Sequence, residues 1–200
     1  MQTILREIER LDQEVARAVS SYFILKTIHQ TMSKNRRIHA ALNATPWAWS
    51  HILFSLECTF FIQFERVFDK SSKHCIDKVV DLVVSHANRI NSKAEPSLLR
   101  LRSRVVYYCK RAEPYRIIRS KVFAHPVLRE TDQIQIMFGK TKVSDVEAIL
   151  VFLQRCVSSL RMNILNDHEV NLHAQRLPLK NDIVRDTKRF LNHMGATKKS

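Results

Sequence analysis

The segment Arg116-Ile117-Ile118-Arg119-Ser120-Lys121-Val122-Phe123-Ala124-His125-Pro126 holds the residue types that phosphate chemistry needs. Arg119 offers a planar fork of donors suited to phosphate oxygens, and Ser120 can bind phosphate or orient a neighbour. His125 carries an imidazole whose ordinary pKa lies near neutral pH, so it can give or take a proton. Where the phosphate belongs to RNA, the substrate brings its own nucleophile, the 2′-hydroxyl. Its cleavage then needs a proton acceptor, a proton donor and a cation against the charge that develops on phosphorus. In a straight helix, six residues from Arg119 to His125 would turn the two side chains about 120° apart. Pro126 pushes the residue before it out of the helical region, which frees the imidazole to swing toward Arg119 or toward a partner subunit.

Charge surrounds this segment. Of 200 residues, 33 are Lys or Arg and 19 are Asp or Glu, a net charge of +14 that favours a polyanionic partner. Residues 1–30 are neutral, whereas residues 101–140 carry +6. From Arg100 to Lys121 there are eight basic residues and one acid, Glu113. Arg100, Arg104 and Arg111 fall in one helical sector, and Tyr107, Tyr108 and Tyr115 are interleaved, a pattern suited to nucleic acid as well as to a solvated helix face. Arg104, Lys110, Arg111, Tyr115, Arg116 and Lys121 are therefore candidate RNA contacts. Arg116 and Ser120, four apart, share a helix face.

The elements that carry these residues read as helical almost throughout. Gly and Pro make up only 7 of the 200 residues, which disfavours sandwiches, barrels and Gly-rich nucleotide loops. Apolar residues from Ile4 to Leu25 recur at steps of three and four, the mark of a long amphipathic helix. A basic joint, Lys34-Asn35-Arg36-Arg37, follows. Thr45-Pro46 offers a cap and a first-turn proline for a strongly apolar helix from Trp47 to Phe68, of the kind that sits centrally in a bundle. Asp69 to Ser72 reads as a loop, Cys75 to Ile90 as a helix, Asn91 to Pro96 as a connection, and Ser97 to about Ala112 as a fourth helix. Glu113-Pro114 either continues that helix with a kink or opens a separate short one. Ile134, Ile136 and Phe138 allow a short extended excursion near 133–138. Ser144-Asp145-Val146-Glu147 fits a capping box for a helix to about Asn166, and a last helix spans about Asp182 to Met194 between Asn181 and Gly195. The fold class expected is all-α, a bundle of five to seven helices over 1–167 with a C-terminal helical appendage and basic tail over 168–200.

Other signals are weaker. Cys58, Cys75, Cys109 and Cys156 stand far apart and read as small buried hydrophobes of a reducing compartment. The charged N-terminus does not resemble an export signal, and the uncharged run Ile38 to Leu56 holds His39, Asn43, Pro46 and His51, against a membrane span. A cytoplasmic location without membrane partner is expected. His168 and His173 with Asp167 and Glu169 show no regular ligand spacing, so no metal or other cofactor is expected.

Arg119-Ser-Lys-Val-Phe-Ala-His125 resembles the Arg-polar-x(3–5)-His signature of the HEPN superfamily. With Glu65-Arg66-Val67-Phe68-Asp69 at the end of the apolar helix, it looks most like the abortive-infection AbiU-type branch. The resemblance implies a helical bundle that forms a homodimer with the two motifs facing each other. In active members it implies a metal-independent endoribonuclease of phage defence or toxin–antitoxin systems, here with Arg119, Ser120 and His125 as the catalytic set. A cognate antitoxin or defence partner would belong to the same picture. Some HEPN toxins carry a modifiable tyrosine two residues after the histidine; here Val127 stands there, against that mode of control. Two rivals remain: a catalytically inactive bundle acting as a protein-association or antitoxin-like module, and a helical transcription regulator, for which the long neutral first helix supplies no short helix-turn-helix.

Overall fold

A computed structural model describes residues 2–90, 95–118, 141–165 and 180–196. These form seven α-helices and, among the described residues, no strand: α1 Gln2–Lys34, α2 Arg36–Asn43, α3 Pro46–Phe68, α4 Ile76–Ile90, α5 Glu95–Ile118, α6 Val143–Leu165 and α7 Lys180–Ala196. The all-α fold class is as the residue spacing predicts. The extended excursion near 133–138 and the His168/His173 cluster lie outside the described residues.

Two compact units divide the chain, residues 1–15 with 61–173 and residues 16–60 with 174–200. In the first unit, α4 packs on α5, and α6 packs on both. Ile4, Ile8, Leu11 and Val15, one per helical turn, bury against this core with Phe64, Val67, Val79, Val105, Leu153 and Leu160. Asp12 is buried in the same unit and ion-paired with Arg161 of α6. In the second unit, α2 packs on α7, where Ile28, Ile38, Leu42 and Leu191 form a closed apolar cluster flanked by Trp49, Leu53 and Met194. A side chain at Gly195 would place its Cβ 3.3 Å from Ile38 Cγ1, so this glycine lets the end of α7 lie close against α2. The cysteines are all free thiols, with Cys75 and Cys156 buried.

Three local expectations are revised and one open alternative is settled. The basic joint is a helix start: the Asn35 side chain accepts hydrogen bonds from Arg37 N–H at 3.0 Å and Ile38 N–H at 3.3 Å, capping α2. Glu113-Pro114 continues α5 and opens no new helix. The proline forfeits one backbone hydrogen bond, but Ala112, Tyr115 and Ile118 on either side of it are buried, and that packing holds the helical course. Helix α6 begins one residue before the expected Ser144 cap; the Lys142 carbonyl takes the first amides, accepting from Asp145 N–H at 2.9 Å and Val146 N–H at 3.3 Å. Finally, α3 is not buried on most sides along its whole length. Phe60, Phe61, Phe64, Val67 and Phe68 are buried, whereas Trp47, Ile52 and Phe54 are partly to largely exposed, Trp47 at 82%.

Candidate functional site

The C-terminal turns of α5 lead straight into Arg119. Arg119, Ser120, Lys121 and His125 lie outside the described residues, and a frame of described residues flanks them in sequence. That frame has two ends, Ile118 where α5 stops and Thr141 where the described chain resumes. One side chain joins them. The Tyr115 hydroxyl donates to the Lys142 carbonyl at 2.9 Å and accepts from the Lys142 N–H at 3.1 Å. Both backbone groups of Lys142 are thereby held by a residue 27 positions earlier. One turn before Tyr115, Arg111 pairs with Asp145 in the first turn of α6, a second tie across the same junction. Asp145 also stands where the α6 dipole favours a negative charge.

Tyr115 is buried, only 4% exposed, with its ring 5.8 Å from that of Phe64 in edge contact. Burial pushes its phenol above the ordinary tyrosine value, outweighing the Lys142 hydrogen bond. The side chain expected to contact RNA is thus engaged in the core. Tyr115→Phe is expected to keep the ring packing, strand the Lys142 N–H, and cost about 1–2 kcal/mol. Denaturant unfolding with an unchanged m value, and faster exchange of the Lys142 amide, would read that loss; an unchanged exchange rate would show that the hydroxyl does not hold the junction.

The remaining candidates on α5 divide by how their charge is used. Arg104 is exposed and lies over the Phe152 ring at 5.4 Å, and Tyr108 stacks on the same ring at 4.0 Å. Lys110 is exposed and, like Arg100 and Arg104, meets no carboxylate among the described residues. Arg111 is committed to Asp145 and also donates to the Tyr107 hydroxyl at 3.3 Å. Arg116 pairs with Glu113 at 2.8 Å, and its buried Nε meets no acceptor among the described residues. Arg102 pairs with Asp81 at 2.7 Å.

The stretch 65–69, which shares in the family resemblance, meets the end of α5. Phe68 and Lys70 line one cleft of about 290 Å³ with Val106, Cys109, Lys110, Glu113 and Arg116 of α5 and Asp77 of α4. Asp69 closes the turn before Lys70 by accepting from Ser71, both N–H (2.9 Å) and hydroxyl (2.8 Å). Those bonds, with Arg116 nearby, hold its carboxyl below the ordinary carboxylate value. Within the cleft, burial pushes the Cys109 thiol up to about 11, so it is no nucleophile at neutral pH. Sequence reasoning missed Lys70, Asp77 and the backbone of Lys142. For Tyr115 a signal existed: with Val105 and Ala112 it continues a buried helical stripe.

A family model described as AbiU2, of the HEPN class, matches residues 1–190 of the chain. No curated protein and no solved structure matches it.

Proposed function

Because the chain belongs to the AbiU2 family of HEPN domains, we propose that it is a metal-independent endoribonuclease of abortive-infection type, acting in phage defence or a toxin–antitoxin system. Support comes from one placement. Arg119, Ser120 and His125 follow in sequence on the most basic helix among the described residues, and the described residues on either side of that stretch are tied to each other through Tyr115 and Arg111. Exposed Arg100, Arg104 and Lys110 on that helix draw in the polyanion, and their attraction weakens with salt.

In the reaction, the 2′-oxygen of a ribose attacks the adjacent phosphorus. The P–O2′ bond forms and the P–O5′ bond breaks, leaving a 2′,3′-cyclic phosphate and a 5′-hydroxyl. A neutral His125 takes the 2′-hydroxyl proton, and a protonated His125 gives one to the leaving 5′-oxygen. Two copies of the motif facing each other in a homodimer supply both forms. Arg119 holds the non-bridging oxygens as negative charge grows on them, and Ser120 orients the imidazole or the phosphate.

A second reading is favoured by a different observation. Trp47 and Phe54, seven residues apart and so on one face of α3, are 82% and 57% exposed, as an association surface would be. On that reading the bundle is catalytically inactive and works as a partner or antitoxin-like module. Expressing the chain alone separates the two. The nuclease is expected to arrest growth, with Arg119→Ala restoring it; harmless expression of the unaltered chain favours the association module.

A further inference from the structure

The cleft between α4, α5 and the turn after α3 gathers three cations from three stretches of chain: Lys70 in the turn, and Lys110 and Arg116 on α5. Two acids share it, Asp77 and Glu113, and they are differently occupied. Asp77 lies in the first turn of α4, where the helix dipole offsets its charge. Glu113 is held by Arg116 Nη1 at 2.8 Å, on the rim, where its own side chain is 54% exposed and free to swing away. Lys70 and Lys110 meet no carboxylate among the described residues, and Arg116 keeps a buried Nε that meets no acceptor there. The floor, Phe68 and Cys109, is apolar, and Val106, 46% exposed, extends it to the rim.

We propose that this cleft is a phosphate subsite, in which Lys70, Lys110 and Arg116 seat a backbone phosphate of bound RNA next to the cleaved position, with Glu113 occupying Arg116 until RNA arrives. The inference rests on the nuclease reading and deepens it by naming where the neighbouring nucleotide lies. The chemistry favours a phosphodiester over an acidic peptide. Arg116 stands three residues before Arg119, on the helix that carries the basic stripe. The apolar floor beside three cations fits a ribose and base attached to the phosphate, whereas a carboxylate side chain would leave that floor empty. Glu113 already models the exchange, because it places one anionic oxygen on the guanidinium.

Binding of a 5′-fluorescein-labelled 12-nucleotide RNA to the full chain tests this, in a His125→Ala background so that no cleavage occurs, over a series of salt concentrations. Lys70→Ala and Lys110→Ala are each expected to weaken binding about fivefold to tenfold and to lower the log–log salt slope by about 0.7, one single-strand phosphate contact. Glu113→Gln is expected to tighten binding about twofold to fivefold. Lys73→Ala, an exposed lysine of the same turn outside the cleft, is the control. Lys70→Ala and Lys110→Ala variants that match Lys73→Ala, in a chain that still binds RNA, would overturn the subsite and leave the nuclease reading standing. A chain that neither binds nor cleaves RNA would overturn both. Thermal melts of each variant separate lost binding from lost fold.

Discussion

Replacing His125 with alanine is expected to slow RNA cleavage by about 10²–10⁴-fold under single-turnover conditions, while RNA affinity changes little. On the proposed mechanism the imidazole gives or takes a proton only as the phosphorus rearranges, so its loss falls on the chemical step. Arg119→Ala is expected to cost about 10²–10³-fold, because its fork meets charge that grows only in the transition state. The double variant should be scarcely slower than the worse single one, as both groups serve the same event. Lys110→Ala should behave in the opposite sense, raising KM with kcat nearly intact. The pH profile is also fixed in form. If one His125 acts as base and its counterpart as acid, the rate rises and then falls across the imidazole range, and the whole bell vanishes in His125→Ala. A His125→Ala variant that cleaves at the unaltered rate would remove the histidine from the mechanism.

Arg161→Ala is expected to damage the fold by about 3–5 kcal/mol near neutral pH. Asp12 is 4% exposed on α1, its Oδ2 pairs with Arg161, and its buried Oδ1 meets no hydrogen-bond partner among the described residues. Burial already outweighs the arginine, so the Asp12 carboxyl lies above its ordinary value even with the pair intact. The sign of the pH effect follows. The folded state binds this proton more tightly than the unfolded chain, so the Asp12 contribution to stability grows as pH falls and shrinks as pH rises. Without Arg161 the folded value climbs further. The deficit of Arg161→Ala should therefore be largest at pH 7 and above and narrow on acidification. Asp12→Leu combined with Arg161→Met should recover most of the loss, since no charge is then left buried. Denaturant midpoints of the single and double variants at two pH values measure all of this; equal deficits at both pH values would mean that Asp12 is not ionised in the fold.

How much of this was legible beforehand depends on the range of the interaction. The stripe Ile4, Ile8, Leu11, Val15 shows in the sequence because a helix repeats its own face, and Pro46 shows because a first-turn proline needs only its neighbours. Asn35 was visible as a polar joint but not as a cap. The helix it starts has eight residues, and only Ile38 and Leu42 mark its buried side. The start of α6 is not legible locally, because Ser144-x-x-Glu147 is a good local cap, whereas Lys142 is engaged by a hydroxyl 27 residues away. Pro114 left two local outcomes open, and burial of Ala112, Tyr115 and Ile118 decided between them. The site follows the same division. Arg119, Ser120 and His125 are proposed from their residue types, their spacing and the family resemblance, all of which are local in sequence. The meeting of Lys70 with Lys110 and Arg116, and the engagement of Arg111 by Asp145 and of Arg116 by Glu113, depend on packing that no local pattern encodes. Counting charge along α5 overstated its free positive surface for that reason. The exposure of Trp47 and Phe54 belongs here too, because an apolar helix face does not reveal from sequence whether its own chain covers it.

The central claim is that the chain cuts RNA with its own side chains and the substrate's 2′-hydroxyl. Its most direct test is the end-group chemistry of RNA incubated with purified protein in excess EDTA. The expected result is cleavage into fragments bearing 2′,3′-cyclic phosphates and 5′-hydroxyls, with a substrate carrying a single 2′-deoxy sugar at the cut site left whole. Intact RNA under these conditions, or fragments with 5′-phosphates and 3′-hydroxyls, would contradict it.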